Sequence, residues 1–199
     1  MSACPFGVHA VPHAIAESGR GSDGAQWMRR QRAHCAVPSR MLSHNAWHLA
    51  MFDVDRGRVA PAIKTLDQCL LPTATTSPVD ASDATTLLWR LACDRLDVSS
   101  RWRQLSDTFL HLGRPGCWPY VDLHAALAHR LAGHDQRITD LMRGVENYAR
   151  GNNFIARCAC SITLPLLRAL DFTRTAPADT PMLTRDMTHL LRAAGASHA

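Results

Sequence analysis

Apolar residues recur every three or four positions along most of the chain, which is the spacing of an amphipathic helix. Between residues 59 and 71, for example, Ile63, Leu66 and Leu70 form one such stripe. No segment alternates apolar and polar residues in the manner of a β-strand. The pattern therefore predicts an all-α protein.

Turn residues divide these helices at a regular interval. Gly19 and Gly57 are 38 residues apart, and Gly57 and Gly133 are 76 residues apart, which is twice that interval. The same period places further turns near residues 95 and 171. Helical hairpins that recur at a fixed period are typical of an α-solenoid. We therefore predict a short, right-handed, tetratricopeptide-like α-solenoid of about five antiparallel helical hairpins.

The predicted array forms a single helical-repeat domain over residues 1–199. Helix breakers and short polar residues indicate linkers near 72–79 and 113–119. The last hairpin ends with a helix over about 181–194. Pro165 predicts a kink in the helix before it, because proline cannot donate the backbone hydrogen bond of a helix interior.

Two pairs of histidines have the spacing that puts both side chains on one face of a helix. His9 and His13 form the first pair, and His44 and His48 form the second. Imidazoles at positions i and i+4 are a common way for one helix to supply two ligands to a metal ion. The two pairs are therefore candidates for one shared surface.

Repeat position relates a fifth histidine to these pairs. His48 precedes Gly57 by nine residues, and His124 precedes Gly133 by nine residues as well. Equivalent positions on the first helices of stacked hairpins face the same side of the array. We therefore predict that the five histidines converge on one cavity, with Asp122 beside them. The candidate catalytic residues are His48, His124 and Asp122, and the candidate ligand-binding residues are His9, His13, His44, Trp47 and Trp89.

Three interpretations of these histidines stay open. In the first, they are ordinary helix residues bonded to nearby backbone. In the second, they bind a metal ion that a carboxylate such as Asp122 completes. In the third, one histidine is a general acid or base that Asp122 or Asp83 orients. No His-Glu-x-x-His or Glu-x-x-His motif occurs, so the sequence requires no metal, and any cofactor stays unknown.

Composition narrows the class of partner. The net charge of +5 comes almost wholly from arginine, and without a continuous basic stripe we expect no nucleic-acid partner. No run of 18 apolar residues occurs, so we expect no membrane span. The first residues lack the basic and apolar regions of a secretory signal peptide. The seven cysteines, an odd number that includes Cys158 and Cys160, predict reduced core thiols in a cytoplasmic protein.

Five short motifs follow one another along the chain. They are His9-Ala10-Val11-Pro12-His13, His44-Asn45-Ala46-Trp47-His48-Leu49-Ala50, Leu87-Leu88-Trp89-Arg90-Leu91, Asp122-Leu123-His124-Ala125 and Gly195-Ala196-Ser197-His198-Ala199. In this order they resemble the C-terminal half of the tetratricopeptide repeat protein 38-like family. Pro12 stands where that family tends to have alanine, and it predicts a break in its helix. Ala46 stands where the family has tryptophan.

The resemblance implies a bundle of helical repeats and no particular reaction. Repeat arrays usually offer a curved surface to a partner. We therefore expect a histidine-lined inner surface that binds a protein partner or a small ligand. A short array also exposes apolar faces at its two ends, which favours a homodimer. The alternative is a small enzyme that uses these clustered histidines for acid–base or metal-assisted chemistry on a small molecule.

Overall fold

A computed structural model describes residues 5–31 and 40–172, and the regular structure in both ranges is helical. The described part of the chain contains no strand, which confirms the predicted all-α class. The helices are, in chain order, α1 (Pro5–Glu17), α2 (Gly21–Gln31), α3 (Arg40–Asp55), α4 (Val59–Thr65), a first π-helical segment (Leu66–Leu70), α5 (Leu71–Ala74), α6 (Pro78–Cys93), α7 (Ser99–Leu112), α8 (Pro119–Leu131), α9 (Asp135–Ala149), α10 (Phe154–Cys158), a second π-helical segment (Ala159–Thr163) and α11 (Leu164–Phe172).

The chain packs as two compact units, Met1–Leu91 and Ala92–Ala199. In the first unit, α1, α2 and α3 pack against one another, and α3 also packs against α4 and the first π-helical segment. In the second unit, α8 packs against α7 and α9, and α11 packs against α8 and α9. Among the described helices, none combines the length and the apolar character that a membrane crossing requires.

A small apolar core holds α1, α2 and α3 together. α2 approaches α3 closely because Gly24 has no side chain, and a Cβ there would lie 2.4 Å from the Phe52 ring. An ion pair between Arg29 of α2 and the buried Asp53 of α3 adds to this contact. The packing fixes α1 and α3, which carry the two histidine pairs, in one unit. The buried core residues are Val8, Ile15, Ala25, Met28, Leu49 and Phe52.

Residues with left-handed backbone close the helical turns at the predicted interval. Gly19, Gly57 and Gly133 have φ angles of 71°, 68° and 76°. The turn that we predicted near residue 95 falls at Arg95, whose φ of 61° is the one positive value at a non-glycine residue in the described ranges. The 38-residue spacing therefore holds for four successive turns. At the turn predicted near residue 171 the chain is still helical, because α11 runs to Phe172, and the residues after it lie outside the described ranges.

Two prolines inside helices follow directly after π-helical segments. The segment Leu66–Leu70 precedes Pro72, and the segment Ala159–Thr163 precedes Pro165, with one leucine between in each case. Proline lacks an N–H and its ring collides with the carbonyl four residues earlier, so a wider turn relieves the collision. The chain therefore stays helical where we expected a linker from residue 72. The break there is confined to the three residues before Pro78.

Pro12 does not break α1, and that prediction was wrong. The helix runs from Pro5 to Glu17 with Pro12 inside it. Val8 and Ile15, on either side of the proline, are both buried in the core of the first unit. Burial of this apolar face offsets the backbone hydrogen bond that proline cannot make.

The five thiols in the described ranges are less buried than predicted. Cys117 and Cys160 are exposed, and Cys69, Cys93 and Cys158 are only partly buried. The prediction that Cys160 belongs to a core was therefore wrong, because the side chain lies on the outer face of the second π-helical segment. The helix predicted over 181–194 and the closing Gly195–Ala199 motif lie outside the described residues.

Candidate metal centre

Four imidazoles from two helices meet in the first unit. His9 and His13 come from α1, and His44 and His48 come from α3. One nitrogen from each ring can be chosen so that all four lie within 4.8 Å of one another. His48 is fully buried, and the other three rings are partly exposed. We call these four residues the histidine cluster.

The ring geometry shows how tightly the cluster is packed. The ring centroids of His9 lie 4.4 Å from His13, 4.7 Å from His44 and 5.0 Å from His48. His48 lies 4.6 Å from His13 and 4.9 Å from His44. All five pairs are edge-to-face or tilted, so none of these rings stacks face to face on another. The Nε2 atoms of His9 and His13 are 3.0 Å apart.

These separations fit a transition-metal ion with only a small movement. Zinc–nitrogen bonds of about 2.0–2.1 Å place the ligand atoms of a tetrahedral site about 3.3 Å apart. The pair His9–His13 is already at about this distance. The longest separation in the cluster, 4.8 Å, would have to shorten by roughly 1.5 Å. Rotation of surface-facing imidazoles can supply a movement of this size.

Burial keeps part of the cluster uncharged at neutral pH. It lowers the pKa of His9 from 6.5 to about 4, and repulsion from His44 and His13 acts in the same direction. Burial and His44 also lower the pKa of His13, while Glu17 opposes them. A neutral imidazole has a free lone pair, which is the form that binds a metal ion.

Two neighbouring side chains contact the His44 ring. The Nδ1 atom of His44 lies 2.6 Å from Oδ2 of Asp83, which comes from α6 and is buried. On its other side, the indole of Trp47 stacks on the His44 ring, with centroids 5.2 Å apart and planes at 14°. Trp47 also meets His48 edge-on at 4.8 Å. Trp89, the other predicted ligand-binding tryptophan, is buried on α6.

Some buried polar atoms at the cluster lack a hydrogen-bond partner within residues 5–31 and 40–172. They are Nδ1 of His9 and both amide atoms of Asn45, which lies beside His44 on α3 and is 4% exposed. Nearly all buried polar atoms in folded proteins are bonded to protein or water. Water or a bound ligand can satisfy atoms of this kind. We predicted no role for Asn45, which follows His44 along α3.

Asp122 and His124, the other predicted site residues, belong to α8 in the second unit. Nδ1 of His124 lies 2.7 Å from the carbonyl oxygen of Tyr120, one turn earlier in α8. Oδ2 of Asp122 accepts a hydrogen bond of 3.0 Å from the backbone N–H of Gly116. Burial raises the pKa of Asp122 to about 7, and the Gly116 bond opposes this shift. Their convergence with the histidine cluster stays a prediction.

A second polar network, which the sequence analysis missed, lies in the second unit. The hydroxyl of the fully buried Ser106 lies 2.7 Å from Nδ1 of His129, 2.7 Å from Nδ1 of His134 and 2.8 Å from a nitrogen of Arg137. One hydroxyl can donate one bond and accept two, so these partners saturate it. Burial, Arg137 and His134 lower the pKa of His129 to about 4. A saturated and inaccessible hydroxyl is a packing element rather than a nucleophile.

Comparison with known proteins adds no family to this description. No family model matches the chain, and no solved structure matches it. What the molecule itself defines is an all-helical protein whose first unit carries a four-histidine cluster with a buried carboxylate at one ring.

Proposed function

We propose that the chain binds one divalent transition-metal ion through the histidine cluster. The observation that carries this proposal is the convergence of four imidazole nitrogens within 4.8 Å, from two helices that a shared apolar core holds together. Among the described residues Nδ1 of His9 has no hydrogen-bond partner, and this supports the proposal because a water molecule beside a bound ion would satisfy that atom.

The ligand type selects the class of ion. Four imidazoles are borderline nitrogen ligands that suit Zn²⁺, Cu²⁺, Ni²⁺ and Co²⁺. Mg²⁺ and Ca²⁺ require oxygen ligands, and the cluster offers no carboxylate to the ion directly. Binding should therefore follow the order typical of nitrogen sites and be absent for Mg²⁺.

A hydrolytic role is the second candidate, and one observation favours it. His9, His13 and His44 are partly exposed, so water can reach an ion that three of the four imidazoles hold and take the fourth coordination position. A metal-bound water is a nucleophile near neutral pH, and an accessible coordination position is what separates catalytic from structural zinc sites. This candidate corresponds to the small enzyme that the sequence analysis left as an alternative.

The finer architectural expectations are also proposals. The spacing of Gly19, Gly57, Arg95 and Gly133 supports a tetratricopeptide-like array of hairpins, of the kind that the resemblance to the tetratricopeptide repeat protein 38-like family implies. We propose that such an array acts in the cytoplasm and binds a protein partner, a small ligand or a second copy of itself. Light scattering of the purified chain, with and without metal, tests self-association directly.

Metal binding is tested on protein produced without a histidine tag and purified without a chelator. We expect one Zn²⁺ or Co²⁺ per chain by elemental analysis and calorimetry, and no response to Mg²⁺. His9→Ala and His48→Ala should each weaken binding strongly, because each removes one of four ligands. His111→Ala is the matched control, since His111 is exposed on α7. Failure of the unaltered chain to bind any of the four transition metals, or equal loss in the His111 variant, would refute the proposal.

A further inference from the structure

The carboxylate of Asp83 contacts the histidine cluster through His44. We infer that Asp83 is a positioning residue of the metal site, which holds the N–H of His44 at Nδ1 and so presents Nε2 of His44 to the ion. This inference rests on the proposed function. It assigns to Asp83 a role that acts through His44 rather than on the ion itself.

The contact between His44 and Asp83 fixes which ring nitrogen carries the proton. Nδ1 of His44 and Oδ2 of Asp83 are 2.6 Å apart, which is the length of a short, charge-assisted hydrogen bond. An ionised carboxylate can only accept, so the proton must lie on Nδ1. Nε2 of His44 is then the nitrogen left with a lone pair. Tautomer and ring orientation are thus fixed before any ion arrives.

The position of Asp83 in the fold also favours a role at the site. Its side chain is only 3% exposed, whereas that of His44 is 23% exposed. Asp83 lies 39 residues from His44 along the chain and comes from α6, whereas the cluster itself comes from α1 and α3. A buried carboxylate is costly unless it has a partner, so its place against a predicted ligand requires an explanation. Ligating histidines almost always donate their second N–H to such a group.

Asp83 also supplies negative charge close to the proposed ion. Four neutral imidazoles leave the full charge of a divalent ion uncompensated in a partly buried site. The ionised carboxylate of Asp83, one imidazole away from the ion, offsets part of this charge. The bond to the carboxylate also makes His44 a better electron donor to the metal. Both effects raise affinity without adding a fifth ligand.

Alternatively, the contact between Asp83 and His44 only stabilises the packing of α6 against α3. The two readings differ in what Asp83→Asn does. Asparagine keeps the shape and can still accept from Nδ1, but it removes the charge. If the contact only stabilises packing, Asp83→Asn lowers the stability of the protein and leaves its metal affinity unchanged. If Asp83 positions His44, the same variant lowers the metal affinity.

The test measures Zn²⁺ affinity by competition with a chromophoric chelator, and the visible absorption of bound Co²⁺. We expect Asp83→Asn to weaken Zn²⁺ binding by about 10- to 100-fold and to shift the Co²⁺ bands, with one ion still bound per chain. Asp53→Asn is the matched control, because Asp53 is also buried in the first unit but pairs with Arg29. Its Zn²⁺ affinity should stay within about threefold of that of the unaltered chain, which is much less than the loss that we expect for Asp83→Asn.

Four outcomes would overturn the inference. If Asp83→Asn binds Zn²⁺ as tightly as the unaltered chain, or if both variants lose affinity equally, Asp83 does not position a ligand. If the unaltered chain binds no metal, the proposed function fails as well, which separates the two failures. Should Asp83→Asn not fold, ring-nitrogen NMR of the zinc-loaded unaltered chain decides. It should show His44 metallated at Nε2 and protonated at Nδ1, and metallation at Nδ1 would refute the inference.

Discussion

Asp122 should make the stability of the protein fall as the pH rises from about 4 to 7. Its carboxyl group is 4% exposed, and its described bond is the one from the Gly116 N–H. The pKa in the folded protein is about 7, against an ordinary value of 3.8. Between these two values the folded chain holds a proton that the unfolded chain has released. Raising the pH therefore favours the unfolded chain across this window, and the effect is complete above about pH 7.

The size of the effect follows from the shift. A difference of about 3 pH units corresponds to about 4 kcal/mol at most, since one unit is worth about 1.4 kcal/mol. Asp122→Asn should remove this loss, because an amide stays neutral and its oxygen can still accept from the Gly116 N–H. The variant should therefore match the original chain at pH 4 and exceed it in stability above pH 7.

Urea unfolding at several pH values between 4 and 8.5 measures this difference. Tyrosine and tryptophan fluorescence, followed together with far-ultraviolet circular dichroism, shows whether one transition describes the data. His111→Ala serves as a control that changes a titratable but exposed group. If the difference between Asp122→Asn and the original chain is constant across this pH range, burial does not hold the carboxyl group protonated and the reasoning fails.

Two further predictions concern the backbone of the helical turns and the contact of α2 with α3. Arg95→Gly should raise the free energy of unfolding by up to about 1 kcal/mol, because glycine adopts a positive φ without strain. Gly57→Ala should lower the free energy of unfolding by a similar amount, although the new Cβ would meet nothing within 4 Å. Thermal unfolding of both variants checks the pair, and changes of the same sign would contradict it. Gly24→Ala should cost about 1–3 kcal/mol through collision with Phe52. Its control is Gly21→Ala, where the new Cβ would lie at an ordinary 3.7 Å from the same ring, and equal losses in urea unfolding would refute the steric cause.

Local periodicity accounts for the parts of the fold that the sequence predicted. The 3.6-residue pattern predicted the helices, and glycine spacing predicted a turn near residue 95 although arginine occupies it. The failures come from longer-range effects. Pro12 lies in an intact helix because burial of Val8 and Ile15 outweighs one missing hydrogen bond. The π-helical segments before Pro72 and Pro165 depend on how each helix absorbs its proline, and no periodicity encodes that.

In the candidate site, too, local features were predicted and long-range contacts were not. The i, i+4 pairs were visible because both members lie on one helix. Asp83 was one of two carboxylates predicted to orient a histidine, but its histidine was not predicted, since the contact with His44 joins α3 to α6 through packing that spacing does not reveal. The network around Ser106 was missed for the same reason, because it draws on α7, α8 and α9 at once. The raised pKa of Asp122 depends on burial, which composition cannot report.

The stacking of Trp47 on His44 gives the histidine cluster an optical signal of its own. The two rings are nearly parallel, and the indole is buried, so its emission originates next to the imidazole rather than in water. An imidazolium quenches a neighbouring excited indole by accepting charge, whereas a neutral imidazole does so far less. We therefore expect the ultraviolet fluorescence of Trp47 to change when a metal ion occupies the histidine cluster, over the emission of the other four tryptophans.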